Sequence, residues 1–417
     1  MVSHGRTCES LQAKYFSPQM RWAAPLLLLP LACVPKLPVT EPAPLVEAGP
    51  SNVLTVADIR IAAEVDTTNA ANLDAVNCLR RYLTRKMDPE APNDYWYAPD
   101  DLSRPSGMEH YGGPYAELRY AEYDSVGDLR YRPTVLEARA AGEGELQLKV
   151  MWSEQTGTPD TSGAKYMFEF LVRSTAEGAR LSLPLEHNTA SWERRTVGTV
   201  TYILSPRHVF DPAEAEEQRS MIERLSAFFE VPTFPITYYS YAGPADLYAA
   251  RGFLVHPLMH TLASGGMVDG TNNVHSGNNK DIYTHEVVHL FSQSRTKEPP
   301  PLLEEGLATL IGGSVEHDYA WYRTNLQRYL ATDPSLDLRD RCTTTMRDYI
   351  NADTSVPYVI GAVLCERILR RDGKAGLFQV MSEGVDPWPA LARYGITPET
   401  LTRELRKELM LEPYRVL

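Results

Sequence analysis

The chain has 417 residues, of which 43% are hydrophobic and 23% are charged, and its formal net charge is −13. This length accommodates about two or three domains with buried cores. The acidic balance, with no long basic run, argues against a nucleic-acid partner and against adhesion to anionic membranes by charge.

Residues 1–33 have the features of an export signal. Arg21 precedes an apolar run over residues 22–32, which is too short to cross a bilayer but suits the apolar core of a signal peptide. Met20 is an alternative to Met1 as the start and would make the signal compact. We therefore expect an exported protein, either periplasmic or on the cell surface.

The end of this run, Ala32-Cys33, resembles a bacterial lipoprotein processing site, although Pro30 and Leu31 are not the residues usual there. The resemblance implies a lipid anchor to a membrane through Cys33, and ordinary secretion with cleavage nearby is the alternative. Residues 34–50 are rich in proline, which predicts an extended linker behind the anchor.

Three cysteines remain after the export segment: Cys78, Cys342 and Cys365. In an exported protein Cys342 and Cys365 can form a disulfide, which would leave Cys78 as a buried thiol. None of the three has the spacing of a zinc-binding cysteine pair, so any metal site must use other side chains.

Residues 51–190 are predicted to form an α+β accessory domain, in which a helix is followed by an antiparallel sheet. The helix is expected at Asn72–Lys86, where apolar residues recur on one side. Apolar runs separated by glycine- and proline-containing turns predict the strands. These runs are Val53–Val65, Tyr115–Tyr123, Thr134–Ala140, Glu145–Trp152, Lys165–Val172 and Ala179–Leu183.

Residues 195–417 are predicted to form a second domain, in which strands are followed mainly by helices. The predicted strands are Val197–Leu204 and Pro235–Tyr241. The predicted helices, apart from two discussed below, are Pro212–Phe229, Ala245–Ala250, Tyr319–Ala331, Val356–Arg371, Gly376–Met381 and Pro398–Met410. The fold class expected for the whole chain is therefore α+β.

A glycine-rich stretch at residues 264–275 predicts an exposed edge strand within the second domain. An edge strand beside a metal can hold an extended peptide by backbone pairing, and a plain hairpin connection is the alternative. His256, His260 and His275 lie near this stretch without matched partners, so we expect them to be structural or exposed.

The motif His-Glu-x-x-His at His285–His289 is the strongest chemical signal in the chain. Two histidines four positions apart lie on one face of a helix, so both rings can reach one zinc ion at about 2.0–2.1 Å. Glu286 then points beside the metal, where a general base acts on water. The helix is expected to start near Asn278 or Asn279 and to end near Gln293; a surface helix with two solvated histidines is the alternative.

A catalytic zinc ion needs three protein ligands and one open position. The metzincin pattern would continue this helix to a glycine and a third histidine, but Ser292 and Arg295 occupy those positions. A carboxylate on the next predicted helix, Leu302–Ile311, is the other source of a third ligand. Glu304 and Glu305 are both available there.

The His285–His289 motif followed by Glu305-Gly306-Leu307-Ala308 resembles the gluzincin zinc metallopeptidases of the peptidase MA-like group. The resemblance implies that His285, His289 and Glu305 bind Zn2+. It also implies that Glu286 is the general base and that the second domain has a gluzincin-like catalytic fold. Glu304 is the competing choice, and Glu305 is preferred because the ligand of the family directly precedes the glycine.

One further segment resembles the same group of enzymes, and one position differs from it. Val356–Ala362 resembles the Tyr-x-Lys-Gly segment of related aminopeptidases, with Ile360 in place of the lysine. The resemblance implies that Tyr358 donates to the oxyanion of the transition state; a helix-cap or core tyrosine is the alternative, and Tyr349 is a weaker candidate. Thr309 replaces the aspartate that orients a ligand histidine in thermolysin-like enzymes, so the hydrogen bonds around the ligands must differ here.

Together these features predict an exported zinc metallopeptidase that acts on a peptide or protein substrate. The sequence does not specify the oligomeric state, the cleavage specificity or the role of residues 51–190. A non-catalytic surface lipoprotein with a structural or vestigial zinc site is the second hypothesis, and hydrolysis of a non-peptide amide, such as a cell-wall crosslink, is the third. The presence of all four motif residues argues against a decayed site.

Overall fold

Two main β-sheets and a group of packed helices form the fold, which confirms the predicted α+β class. The computed structural model describes residues 59–85, 95–96, 118, 131–153, 164–269, 272–314, 317–342, 348–351 and 354–417. The predicted export segment, the linker and Cys33 lie outside the described residues. None of the helices in the described residues combines the length and the hydrophobicity that a membrane span requires.

The strands and helices are numbered separately in chain order. The strands are β1 (Arg60–Ile61), β2 (Arg132–Gly142), β3 (Glu145–Ser153), β4 (Ala164–Thr175), β5 (Gly178–Ser182), β6 (Glu193–Val197), β7 (Val200–Leu204), β8 (Ile236–Ser240), β9 (Phe253–Val255), β10 (Gly266–Asp269), β11 (Asn273–Ser276), β12 (Tyr349–Asn351) and β13 (Thr354–Ser355). The helices are α1 (Ala70–Arg85), α2 (Leu185–Thr189), α3 (Pro212–Phe229), α4 (Pro244–Ala250), α5 (Thr284–Arg295), α6 (Pro301–Gly312), α7 (Tyr319–Thr332), α8 (Val356–Met381), α9 (Trp388–Leu391) and α10 (Leu401–Glu408).

The N-terminal sheet has the order β1-β2-β3-β4-β5, and α1 packs against it. Val76, Leu79 and Leu83 of α1 are buried in one core with Trp152 and Phe170 of the sheet, because a spacing of three and four residues places them on one helix face. The predicted helix and the four strands predicted between residues 134 and 183 are confirmed. Of the first predicted strand, the structure describes residues 59–65, and among these it forms β1. The strand predicted at residues 115–123 lies outside the described residues, Leu118 excepted.

The second sheet has the order β10-β11-β8-β7-β6. Strands β7, β8 and β11 are parallel neighbours, while β6 and β10 run antiparallel at the two edges. The strand predicted at Val197–Leu204 is confirmed over Val200–Leu204, as β7, but its first residues belong to β6 and to a turn. Gly198 has a φ of 59°, a left-handed conformation that glycine tolerates and that reverses the chain into a hairpin between β6 and β7.

The glycine-rich stretch forms a hairpin of β10 and β11, and β10 is the edge strand. The predicted edge strand is therefore confirmed, and it is one arm of a hairpin. The helix that follows, α5, contacts β10 and β11. Its predicted start is wrong by several residues, because Asn279 has a φ of 55° and the Asp281 carboxylate is taken up by contacts with other elements. The helix begins only at Thr284.

Helices α5, α6, α7 and α8 share one core with the second sheet, to which Val287, Leu307 and Ile360 contribute. Helix α8 joins two predicted helices, and Gly373, with a φ of 64°, marks the kink between them. The other helices predicted after residue 300 are confirmed, although α10 is shorter than the predicted Pro398–Met410.

Strand β9 belongs to the segment predicted as the second domain, yet it pairs with β4 of the N-terminal sheet. Phe253 lies opposite Phe168, and Val255 lies opposite Met167. Strand β9 therefore joins the region 195–417 to the N-terminal sheet by backbone pairing.

The predicted disulfide between Cys342 and Cys365 does not form, and neither these two cysteines nor Cys78 are disulfide-bonded. The buried Sγ of Cys365 instead contacts the carbonyl oxygen of Leu303 at 3.4 Å. Burial raises the pKa of the Cys342 thiol to about 12, so this thiol remains protonated and unreactive at neutral pH.

Candidate metal centre

Three predicted ligands, His285, His289 and Glu305, lie together, with one ligand atom from each within 4.8 Å of the others. The Oε2 atom of Glu305 is 3.2 Å from Nε2 of His285 and 3.6 Å from Nε2 of His289. Both histidine side chains are buried, whereas a quarter of the Glu305 side chain is exposed. The two Nε2 atoms and the carboxylate therefore converge at a place that solvent can reach.

Helices α5 and α6 bring these side chains together. The rings of His285 and His289 are one helical turn apart, with centroids separated by 5.1 Å. Gly312, at the end of α6, lies so close to α5 that a Cβ atom there would be 2.5 Å from the backbone nitrogen of His285. Only a residue without a side chain permits this approach, which places the end of α6 against the first turn of α5.

A backbone carbonyl orients the His285 ring. The Nδ1–H of His285 donates to the carbonyl oxygen of Gly313 at 2.7 Å, so Nε2 keeps its lone pair free to bind a metal. The hydroxyl of Thr309 is buried, and no described residue hydrogen-bonds to it. Thr309 therefore does not orient a histidine as the aspartate of thermolysin-like enzymes does. In this chain the backbone carbonyl of Gly313, just after α6, orients the His285 ring instead.

The structure separates the two glutamates that the sequence left in competition. The Oε1 atom of Glu304 is 3.5 Å from Nδ1 of His289, on the side of the ring opposite Nε2. The side-chain amide of Gln293 donates to the same oxygen at 3.2 Å. Glu304 thus contacts Nδ1 of His289, whereas Glu305 faces the Nε2 atoms of both histidines.

The surroundings of Glu305 and Glu286 shift the pKa values of the two carboxyl groups in opposite directions. Burial opposes ionisation of Glu305, but the positive charge of His289 and the hydrogen bond with His285 outweigh it, so the pKa of Glu305 lies well below its usual range. Burial raises the pKa of Glu286, and the histidines only partly offset this effect. A buried carboxyl with a raised pKa holds a proton more readily than an exposed glutamate does.

Tyr358 lies in the first turn of α8, directly against the predicted ligands. Its ring stacks on His285 with centroids 5.9 Å apart and planes 12° from parallel. Burial, followed by the charges of Glu305 and Glu286, holds the pKa of Tyr358 well above its usual value. The phenol therefore remains a hydrogen-bond donor at neutral pH. Tyr349, the weaker candidate, lies on β12 with 54% of its surface exposed.

Tyr283 is a residue of this centre that the sequence reasoning missed. Tyr283 precedes α5 and stacks on His285, with ring centroids 6.1 Å apart. Its ring also packs against Gly266 of the edge strand, where a Cβ atom would lie 2.3 Å from a carbon atom of the Tyr283 ring. The only sequence signal is an aromatic residue two positions before the motif. Tyr283 links the edge strand to the first predicted ligand.

The other histidines near the edge strand do not join the group of ligands. His275 is fully buried and is engaged by Asp269 and Tyr241. His256 is buried and stacks on Tyr248, whereas His260 is exposed. The expectation that these three are structural or exposed is confirmed.

Two histidines and one glutamate from adjacent helices thus form a group that could hold a metal ion. Two nitrogen atoms and one carboxylate oxygen are a ligand set that suits zinc and leaves a fourth position open. No protein-family model matches the chain. A search of curated proteins finds no match either.

Proposed function

We propose that this protein is a zinc metallopeptidase with His285, His289 and Glu305 as metal ligands. The observation that carries the proposal is the convergence of these ligand atoms within 4.8 Å, with the buried Glu286 next to the first ligand. The hydrogen bond from Nδ1 of His285 to a backbone carbonyl supports the same assignment, since metal-binding histidines usually donate their second N–H.

The chemistry follows from the positions of the side chains. When bound, zinc would supply a Lewis acid that activates a water molecule and polarises the peptide carbonyl. Glu286 would accept the proton from the attacking water and pass it to the leaving amine, a transfer favoured by its raised pKa. Tyr358 would donate its phenol hydrogen to the oxyanion that develops on the carbonyl oxygen.

The edge strand β10 supports a peptide as the substrate. It forms one edge of its sheet and packs beside α5, and Tyr283 connects it to His285. An extended peptide can pair with such an edge through its backbone. The predicted signal segment and the lipid anchor at Cys33 would place this activity in the periplasm or on the cell surface.

The experiment is cleavage of a peptide library by the purified protein, with metal analysis of the same sample. We expect about one zinc ion per chain and cleavage that a chelator abolishes. Glu286→Gln should retain the zinc and lose hydrolysis, since the amide cannot act as a base. Glu217→Gln, an exposed substitution on α3, is the matched control and should cleave normally.

Two results would contradict the proposal. Full activity of Glu286→Gln on a cleaved substrate would exclude the mechanism. Zinc that stays below one equivalent after metal is added would instead favour a non-catalytic binding protein.

A further inference from the structure

A buried polar cluster holds the end of the edge strand. We call Arg251, Asp269 and His275 the clamp. Nη1 of Arg251 donates to Oδ2 of Asp269 at 2.8 Å, and Nε2 of His275 contacts the same oxygen at 3.0 Å. The side chains of all three are at most 4% exposed. Asp269 is the last residue of β10, so the clamp acts directly on this strand.

The Arg251 end of the clamp is tied to the N-terminal sheet. Gly252, the next residue, accepts a hydrogen bond at its carbonyl from the N–H of Glu169 on β4, at 2.9 Å. A Cβ atom on Gly252 would lie 2.5 Å from the Pro184 ring, and its φ is 100°, so glycine is required for this close approach. Strand β9 then continues the pairing with β4.

The opposite end of β10 is fixed from the side of the metal centre. The carbonyl oxygen of Gly265 accepts from the N–H of Gly277 at 2.8 Å, and the N–H of Gly265 donates to Oδ1 of Asn278 at 2.7 Å. Gly266 packs on Tyr283, which stacks on His285. The strand is thus held at one end beside the predicted ligands and at the other by Arg251.

We propose that Arg251 is a positioning residue through which the N-terminal sheet holds β10 in place to bind an extended substrate peptide. This inference rests on the proposed peptidase function and assigns a part in substrate binding to the predicted accessory domain. Arg251 is buried and acts through Asp269, so it changes how well the substrate is held rather than the chemistry at the metal centre.

The test is Arg251→Met in the full chain, with Asp269→Asn as a second variant that nearly preserves volume. For both variants we expect KM for a long peptide that spans the edge strand to rise about tenfold or more, while kcat stays within about twofold of wild type. This pattern is expected when a mutation removes binding energy that the ground state and the transition state share. The zinc content and the KM of a minimal substrate should stay unchanged.

Arg323→Met is the matched control, because Arg323 also forms a buried ion pair, at 3.2 Å from Glu366 on α8. Both methionine variants should lower the melting temperature, but only Arg251→Met should change KM. If Arg251→Met lowers the melting temperature and leaves KM for the long peptide unchanged, as the control does, the positioning role is overturned.

Hydrogen exchange gives a readout that does not depend on activity. Arg251→Met should speed exchange of the amides that pair β10 with β11, whereas the amides of β8 should keep their protection. Unchanged exchange at β10 would overturn the inference even if the peptidase is active. Conversely, a wild-type protein that cleaves no peptide would overturn the peptidase proposal and the substrate role of Arg251, while exchange would still decide whether Arg251 fixes the strand.

Discussion

The two histidines of the motif are oriented by different partners, and neither partner belongs to the motif. His285 donates to the carbonyl oxygen of Gly313, while His289 faces Glu304 across its Nδ1 atom. A contact on the second nitrogen fixes the ring and raises its basicity as a ligand. The carboxylate of Glu304 should therefore matter for metal binding although it faces away from Glu305.

Glu304→Ala should weaken zinc affinity by about 10–100-fold, the range typical for loss of a partner that orients a ligand. Glu304→Gln should lose less, because its amide oxygen can still accept from Nδ1 of His289. Competition against a chromophoric chelator measures both. Glu298→Ala, at an exposed position in the same region, is the control and should bind zinc as the wild type does. Equal zinc affinities for Glu298→Ala and Glu304→Ala would contradict a role for Glu304.

Tyr358→Phe should reduce kcat by about 100–1000-fold, the effect of removing one oxyanion donor. The ring that stacks on His285 is retained, so the zinc content should not change. Steady-state kinetics on any peptide that the wild type cleaves provides the measurement. Tyr349→Phe, at the exposed alternative position, should leave kcat unaltered; the reverse pattern would assign the donor to Tyr349.

At the scale of elements, the crossing of α6 and α8 decides where Glu305 and Tyr358 meet. A Cβ atom on Gly306 would lie 2.1 Å from the backbone of Gly361, and one on Gly361 would lie 2.0 Å from the carbonyl oxygen of Leu302. The helices touch backbone to backbone at this point. Gly306 follows Glu305 directly, and Gly361 lies three residues after Tyr358, so the crossing brings the side chains of both candidate site residues to one place.

Gly361→Ala should therefore destabilise the protein by about 1–3 kcal/mol, as expected for overpacking, and should also weaken zinc binding. Chemical denaturation and zinc titration measure the two effects. Gly243→Ala is the control, since a Cβ atom there meets open space. A Gly361→Ala protein as stable as the control would show that the helices can separate without cost.

At the scale of the whole molecule, a buried pair joins the segment before α3 to the segment before α5. Nε2 of His208 lies 3.0 Å from both carboxylate oxygens of Asp281, and Nδ1 contacts Asn279 at 3.1 Å. Burial favours the neutral ring, but the hydrogen bond and the charge of Asp281 outweigh it and raise the pKa of His208. The protonated form is therefore the one that stabilises the fold.

The stability that this pair contributes should depend on pH in one direction. Because folding raises the pKa of His208, the stabilisation is complete below the pKa of the unfolded chain, which is about 6.5. It is lost as the pH rises through the pKa of His208 in the folded protein. His208→Gln should cost about 3–5 kcal/mol at low pH, since it leaves Asp281 buried without its partner, and the difference from wild type should shrink above neutral pH.

Denaturant unfolding of wild type and His208→Gln from pH 5 to 9 measures this difference. His260→Gln, at an exposed position, should follow the wild-type profile throughout. A difference that grows as the pH rises would show that neutral His208 is the stabilising form.

The local pattern of the chain was sufficient to predict the longer helices and most of the strands, because apolar periodicity and glycine or proline punctuation act over a few residues. The short helices α2 and α9 were not predicted. It also identified the candidate ligands, since a helix places residues four apart on one face whatever surrounds it. The hairpin at Gly198 and the late start of α5 were missed, because each depends on a single backbone conformation or a distant polar partner.

The tertiary structure alone decided which glutamate faces the histidines, what orients each ring, and that Tyr283 and Tyr358 flank His285. These contacts join residues from different elements, so no periodicity in the sequence encodes them. The same holds for the contact between Arg251 and Asp269, which joins the residue after α4 to the last residue of β10. Local sequence thus specifies the chemical groups and the helices that carry them, whereas packing between these elements specifies how the groups are arranged.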